Sequence, residues 1–162
     1  MRNWATFLVL VAACAAGSSS IGFAQAKGDE LPADVQAAID AAKKADAAGN
    51  FAKAGAQWAA AMKLAGGRFK GNPKMREAYY EAYFAYGRTM YHFSQTAKVK
   101  DANNDKRYLD FAANHFVKLQ FASSREGWDQ IGPRVLKLAD ENPPLKAAYE
   151  KLRDEREKAQ RK

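Results

Sequence analysis

Glu77 and Glu81 stand one helical turn apart, a spacing that puts two carboxylates on one face. Such a pair can serve as general acid and general base, which makes a small helical enzyme one reading of the chain. Arg88 and His92 continue the same face, and that pattern equally describes a solvated polar stripe. His92 and His115 are the only histidines, on helices that can pair, with Glu81 or Asp110 as conceivable neighbours. A metal site needs three or four converging ligands, and the spacing supplies no such set, so no metal or cofactor is expected. Cys14 is the only cysteine, which excludes an internal disulfide, a thiolate zinc site and a C-x-x-C-H haem attachment. No G-x-S-x-G, H-E-x-x-H or phosphate-cradling glycine loop occurs, and Gly66-Gly67 reads as a helix stop. The residues point to binding rather than catalysis.

The best candidate for binding is the aromatic run Tyr79–Phe93. Wound as a helix it carries two apolar stripes. Tyr79, Tyr83, Tyr86, Met90 and Phe93 form one; Tyr80, Phe84, Gly87 and Tyr91 form the other, about a quarter-turn round. An ordinary surface helix has one apolar arc, so this one needs packing partners on two sides, or one partner and a ligand. Tyr80, Phe84 and Tyr91, with Arg88 beside them to meet a carboxylate, are the proposed lining of a partner-binding groove. The alternative is that this stripe is core.

Around that helix the periodicity predicts an all-α chain of about five to six helices with no sheet. Pro32 and Asp34 open a thin, Ala-rich first helix that Ala48-Gly49-Asn50 stops. The second runs from Phe51 to about Ala65 on a stripe of Ala54, Gly55, Trp58, Ala61 and Met62. Asn72-Pro73 launches the aromatic helix, extended to about Ala97. A polar stretch, 98–105, leads to a helix with Tyr108, Leu109, Ala112, Ala113, Phe116 and Leu119 on its inner side. Ser123 and Glu126 have capping-box spacing, but Gly127 and Pro133 argue for a short helix over Pro133–Asp140 only. Asn142-Pro143-Pro144 is expected to cap a last helix, and residues 153–162 form a charged tail.

The N-terminus reads as a leader. Arg2, the apolar run Trp4–Ala16 and the triplet Ala24-Gln25-Ala26 describe a secretory signal peptide over residues 1–26, leaving a helical domain over 27–152. Val11-Ala12-Ala13-Cys14 resembles a bacterial lipobox, which keeps lipid attachment at Cys14 as the second processing route. Either route predicts an exported protein, periplasmic or secreted, or held by a lipid. The chain of 162 residues carries a net charge of +8. Lys63, Arg68, Lys70, Lys74 and Arg76 occur with no acid between them. In an exported protein such a patch suits acidic lipid, an acidic envelope polymer or an acidic protein rather than nucleic acid.

Gly49-Asn50-Phe51-x-x-Ala54-x-x-x-Trp58-x-x-Ala61 resembles the second half of a tetratricopeptide repeat. Gly49 permits the tight turn, Ala54 and Ala61 let backbones approach, and Phe51 and Trp58 fill the gaps. The family's first-helix pattern returns at Tyr83-x-x-Tyr86-Gly87-x-x-Met90, with Gly87 at the close-contact position and Leu109-x-x-Ala112-x-x-x-Phe116-x-x-Leu119 as its partner. Trp128-x-x-Ile131-Gly132-x-x-Val135 matches a third time. The resemblance implies antiparallel hairpins stacked in a short array, since such units bury their faces only against neighbours. It also implies a protein-binding scaffold whose concave face takes an extended or helical segment of a partner.

Overall fold

A computed structural model describes residues 30–161. Seven helices, and no strand, occur among these residues: α1 (Ala33–Ala47), α2 (Phe51–Gly66), α3 (Pro73–Ser94), α4 (Ala97–Asp101), α5 (Asp105–Gln120), α6 (Glu126–Asp140) and α7 (Pro143–Gln160). None is long and apolar enough to cross a membrane. The leader, with Cys14, lies outside the described residues.

Local chemistry sets most of the boundaries. Gly49 adopts φ +69° in the α1–α2 turn, a conformation that carries no penalty without a Cβ. The Asn50 side chain then accepts from Lys53 N at 3.2 Å, and Asn72 accepts from Met75 N at 3.1 Å with Pro73 opening α3.

The helices make three antiparallel hairpins, α1–α2, α3–α5 and α6–α7, stacked in a row with α4 as a one-turn connector inside the second. α3 is the shared wall. On one side it joins an Ala-rich core with Val35, Ile39, Ala42, Trp58, Ala61 and Met75. On the other it joins a larger-residue core with Phe116, Val117, Ile131, Val135, Leu145 and Tyr149. The aromatic helix therefore does have partners on two sides, and Tyr79 packs against both cores.

Four features depart from the sequence expectation. α3 stops at Ser94 rather than near Ala97, and Ala97–Asp101, reaching into the polar stretch, forms α4, anchored by buried Val99. α6 begins at Glu126 and runs through both residues that argued against it. Gly127 is a contact position: a Cβ there would stand 2.3 Å from Tyr80 Cε1. Pro133 is exposed, and the carbonyl it leaves without a helical donor belongs to exposed Asp129, where water can serve it. Asn142 does not cap α7 with its side chain. It donates to Leu138 O at 2.7 Å and accepts from Tyr91 Oη at 2.9 Å, so it ties the α6–α7 turn to α3. The stretch from Arg153 to Gln160 continues α7 as helix, its charges joined in pairs such as Arg153–Glu157.

Candidate functional site

α1 and α3 are held apart by α2, which packs on both, and the space between them is a cleft of about 750 Å³. Its apolar floor comes from Ile39 of α1, Trp58 of α2, and Ala78, Phe84 and Ala85 of α3. The small alanines create the recess, because a larger side chain at 78 or 85 would fill it. Lys43, Glu77, Glu81, Arg88 and Arg134 stand around the rim. Past Glu77 and Glu81 the cleft runs on into a hollow beside Arg76, Glu126 and Gln130. At its other end it continues past Lys43 and Arg88 into one beside Phe51 and His92. The lining face of α3 is thus the polar one, Glu77, Glu81, Arg88 and His92.

That placement divides the residues expected to line a groove. Tyr80 and Tyr91 are 7 % and 6 % exposed and belong to the second core, where burial raises both hydroxyl pKa values. Phe84 is 7 % exposed and belongs to the same core, yet one edge reaches the cleft. Arg134 of α6 lies over its ring, 4.2 Å from the centroid, and ion-pairs with Glu81. This places a cation on an aromatic face at the cleft edge, an attraction of about 0.5–2 kcal/mol. Arg88 reaches the rim with its charge already engaged: it pairs with Asp46 at 2.8 Å, and buried Thr89 donates to the same carboxylate at 3.0 Å.

The two histidines are far from forming one site. His92 stacks on Phe51 with centroids 5.7 Å apart, and its pKa is lowered by burial and by the neighbouring Arg88. His115 is stacked on Tyr83 between α3 and α5. No group of three or more His, Cys, Asp or Glu side chains among the described residues is arranged to hold a metal ion.

The contiguous basic run is also distributed among partners. Arg68 makes a two-pronged pair with Asp34 at 2.6 and 2.9 Å, whose hydrogen bonds hold that carboxyl below its usual range. Arg76 pairs with Glu126 at 2.9 Å, and Lys74 is also engaged. Lys63 and Lys70 stay exposed.

Sequence reasoning did not single out Ile39, Lys43, Trp58, Ala78, Ala85 or Arg134 as a lining. The usable signal was Ala78 and Ala85 flanking the polar face of α3, since small residues beside charged ones mark a helix face that nothing large covers. No family model, curated protein or solved structure matches the chain.

Proposed function

We propose that this chain is a non-enzymatic scaffold of the cell envelope that seats a segment of a partner protein in the cleft between α1 and α3. The observation that carries this reading is the cleft itself, with an apolar floor of Trp58, Phe84 and Ile39 inside a rim of both charge signs. Apolar anchors inside a polar rim are what segment recognition uses, the floor for affinity and the rim for register. The tetratricopeptide-like reading is supported by the succession of three hairpins and by a third pattern match, Trp128 to Val135, that falls on a helix. It is further supported by Gly87, whose missing side chain makes room for Phe116. Export and the choice between a free and a Cys14-anchored form belong to the same proposal and rest on residues 1–26. The enzymatic alternative gains little from the pairing of Glu81 with Arg134, which occupies one of its two carboxylates.

The test is selection from a displayed peptide library against the purified protein. The wild type enriches a peptide class, and the exposed rim changes Lys43→Glu and Glu77→Lys abolish its binding while leaving the melting temperature unchanged. Failure to enrich any peptide, or binding indifferent to both rim changes, rules the cleft out.

A further inference from the structure

Within the basic run 63–76 only Lys63 and Lys70 keep their charge without an ion pair among the described residues. At one end of the array, where α1 begins and α2 finishes, Arg68 and Arg76 are neutralised by Asp34 and Glu126. Six others gather at the opposite end: Lys44 in the last turn of α1, Lys53 in the first turn of α2, Lys98 and Lys100 on α4, and Lys106 and Arg107 in the first turn of α5. Ring contacts tie these elements together. Phe51 at the start of α2 lies against His92 near the end of α3, and Phe93 meets Tyr108 of α5 edge-on with centroids 4.8 Å apart. All six cations are exposed, and none forms an ion pair among the described residues.

The acids at this end do not cancel them. Asp46 is taken by Arg88 and Thr89, which leaves Asp101, Asp105 and, one turn further along α5, Asp110 against six cations. The α6–α7 turn, brought here by the Tyr91–Asn142 bond, is balanced within itself by Lys137–Glu141 and Asp140–Lys146. Helix stability does not account for the excess either. The dipole favours Lys44, Lys98 and Lys100 in last turns, but a cation in a first turn opposes its positive end, so Lys53, Lys106 and Arg107 sit where they cost a few tenths of a kcal/mol each.

We propose that this end of the array docks on an anionic lipid surface. The six charges are spread over four elements rather than converging on one cleft, which suits a broad plane of negative charge better than a single anionic group. Half-buried Phe51, Phe93 and Tyr108 lie among them, and an amphipathic ring such as that of Tyr108 favours the headgroup layer. The surface meets the far end of the α1–α3 cleft at Phe51, but none of the six cations lines that cleft or the hollows it runs into, so either can fail without the other.

The experiment is co-sedimentation of the purified protein with phosphatidylcholine vesicles that contain or lack phosphatidylglycerol. Binding is expected only to the anionic vesicles and falls steeply as salt is raised. The triple variant Lys98→Gln, Lys100→Gln, Lys106→Gln loses on the order of 100-fold in partitioning, at roughly fivefold for each charge removed near the surface. The double variant Lys63→Gln, Lys70→Gln at the other end changes it by less than about twofold, given the same per-charge scale and the distance from the surface. The wild-type salt titration reads the same charge without any substitution, should the triple variant lose its fold. Absence of binding at low salt, equal loss in both variants, or binding to soluble polyglutamate with none to vesicles overturns the assignment.

Discussion

Tyr83 and His115 clasp each other by the backbone. The Tyr83 hydroxyl donates to the His115 carbonyl at 2.7 Å, and His115 Nε2–H donates to the Tyr83 carbonyl at 3.0 Å, with the rings stacked 3.7 Å apart. A carbonyl can only accept, so the contact selects the neutral tautomer protonated at Nε2. The pair fixes the register of α3 on α5, within the second hairpin of the array.

The clasp makes stability depend on pH. Burial, aided by the nearby Lys118 charge and opposed by the bond to Tyr83, lowers the His115 pKa to about 4. The unfolded chain takes up that proton near pH 6.5, the folded chain only near 4. The contribution is therefore complete above about 6.5 and is lost as pH falls towards 4, a loss of up to roughly 3 kcal/mol. Melting of the wild type and of His115→Gln, compared from pH 7.5 to 4.0, isolates this group from the carboxylates that titrate alongside it. The variant, though less stable at neutral pH, should lose less on acidification. Parallel curves would show that His115 does not titrate as a buried group.

Gly87 and Gly55 make opposite predictions for the same substitution. Alanine in place of a mid-helix glycine adds about 1 kcal/mol of helix propensity. At Gly87 the new methyl would stand 2.4 Å from Cζ of fully buried Phe116, whose ring has nowhere to move, so Gly87→Ala should cost about 1–3 kcal/mol net. At Gly55 the nearest atom is the Met90 sulfur at 3.1 Å, on a flexible side chain, so Gly55→Ala should be neutral or stabilising by up to about 1 kcal/mol. Urea unfolding of both variants decides it; the reverse order would contradict the packing described.

Tyr80, Phe84 and Tyr91 are expected to behave as core. Phe84→Ala should cost about 3–5 kcal/mol, and replacing all three by alanine should abolish the cooperative melt. Tyr91→Phe keeps the ring and removes only the bond to Asn142, for about 1 kcal/mol. A triple variant that melts like the wild type would mean that the stripe is surface.

Asp46 serves two donors, so its loss should exceed that of either donor alone. Asp46→Ala leaves the fully buried Thr89 hydroxyl without its acceptor and is expected to cost about 1–3 kcal/mol. Arg88→Ala removes a partly exposed pair and should cost no more than about 1 kcal/mol. Equal costs for the two would indicate that Thr89 finds another acceptor.

Much of the fold was legible because its signals are local. The Asn50 and Asn72 starts, the Gly49 turn and the two-sided demand of the aromatic helix follow from capping chemistry, backbone freedom and the 3.6-residue period. α6 was misjudged because Gly127 and Pro133 read as breakers when only their own helix is considered. Tyr80 needs the space beside Gly127, and the open surface around Pro133 tolerates the freed carbonyl. The candidate site was half legible. Phe84 and Arg88 do reach the cleft, whereas Tyr80 and Tyr91 turn inward and Trp58, Lys43 and Arg134 arrive from other elements.

The sequence by itself determined that the described chain is helical, where most helices begin, and which residues share a face. Only the tertiary structure decided which face meets a neighbour, which borders the cleft, and which cations keep their charge unanswered. Periodicity is a property of one helix, but burial and ion pairing belong to contacts such as Arg68 with Asp34 or Arg134 with Glu81, whose members lie tens of residues apart along the chain.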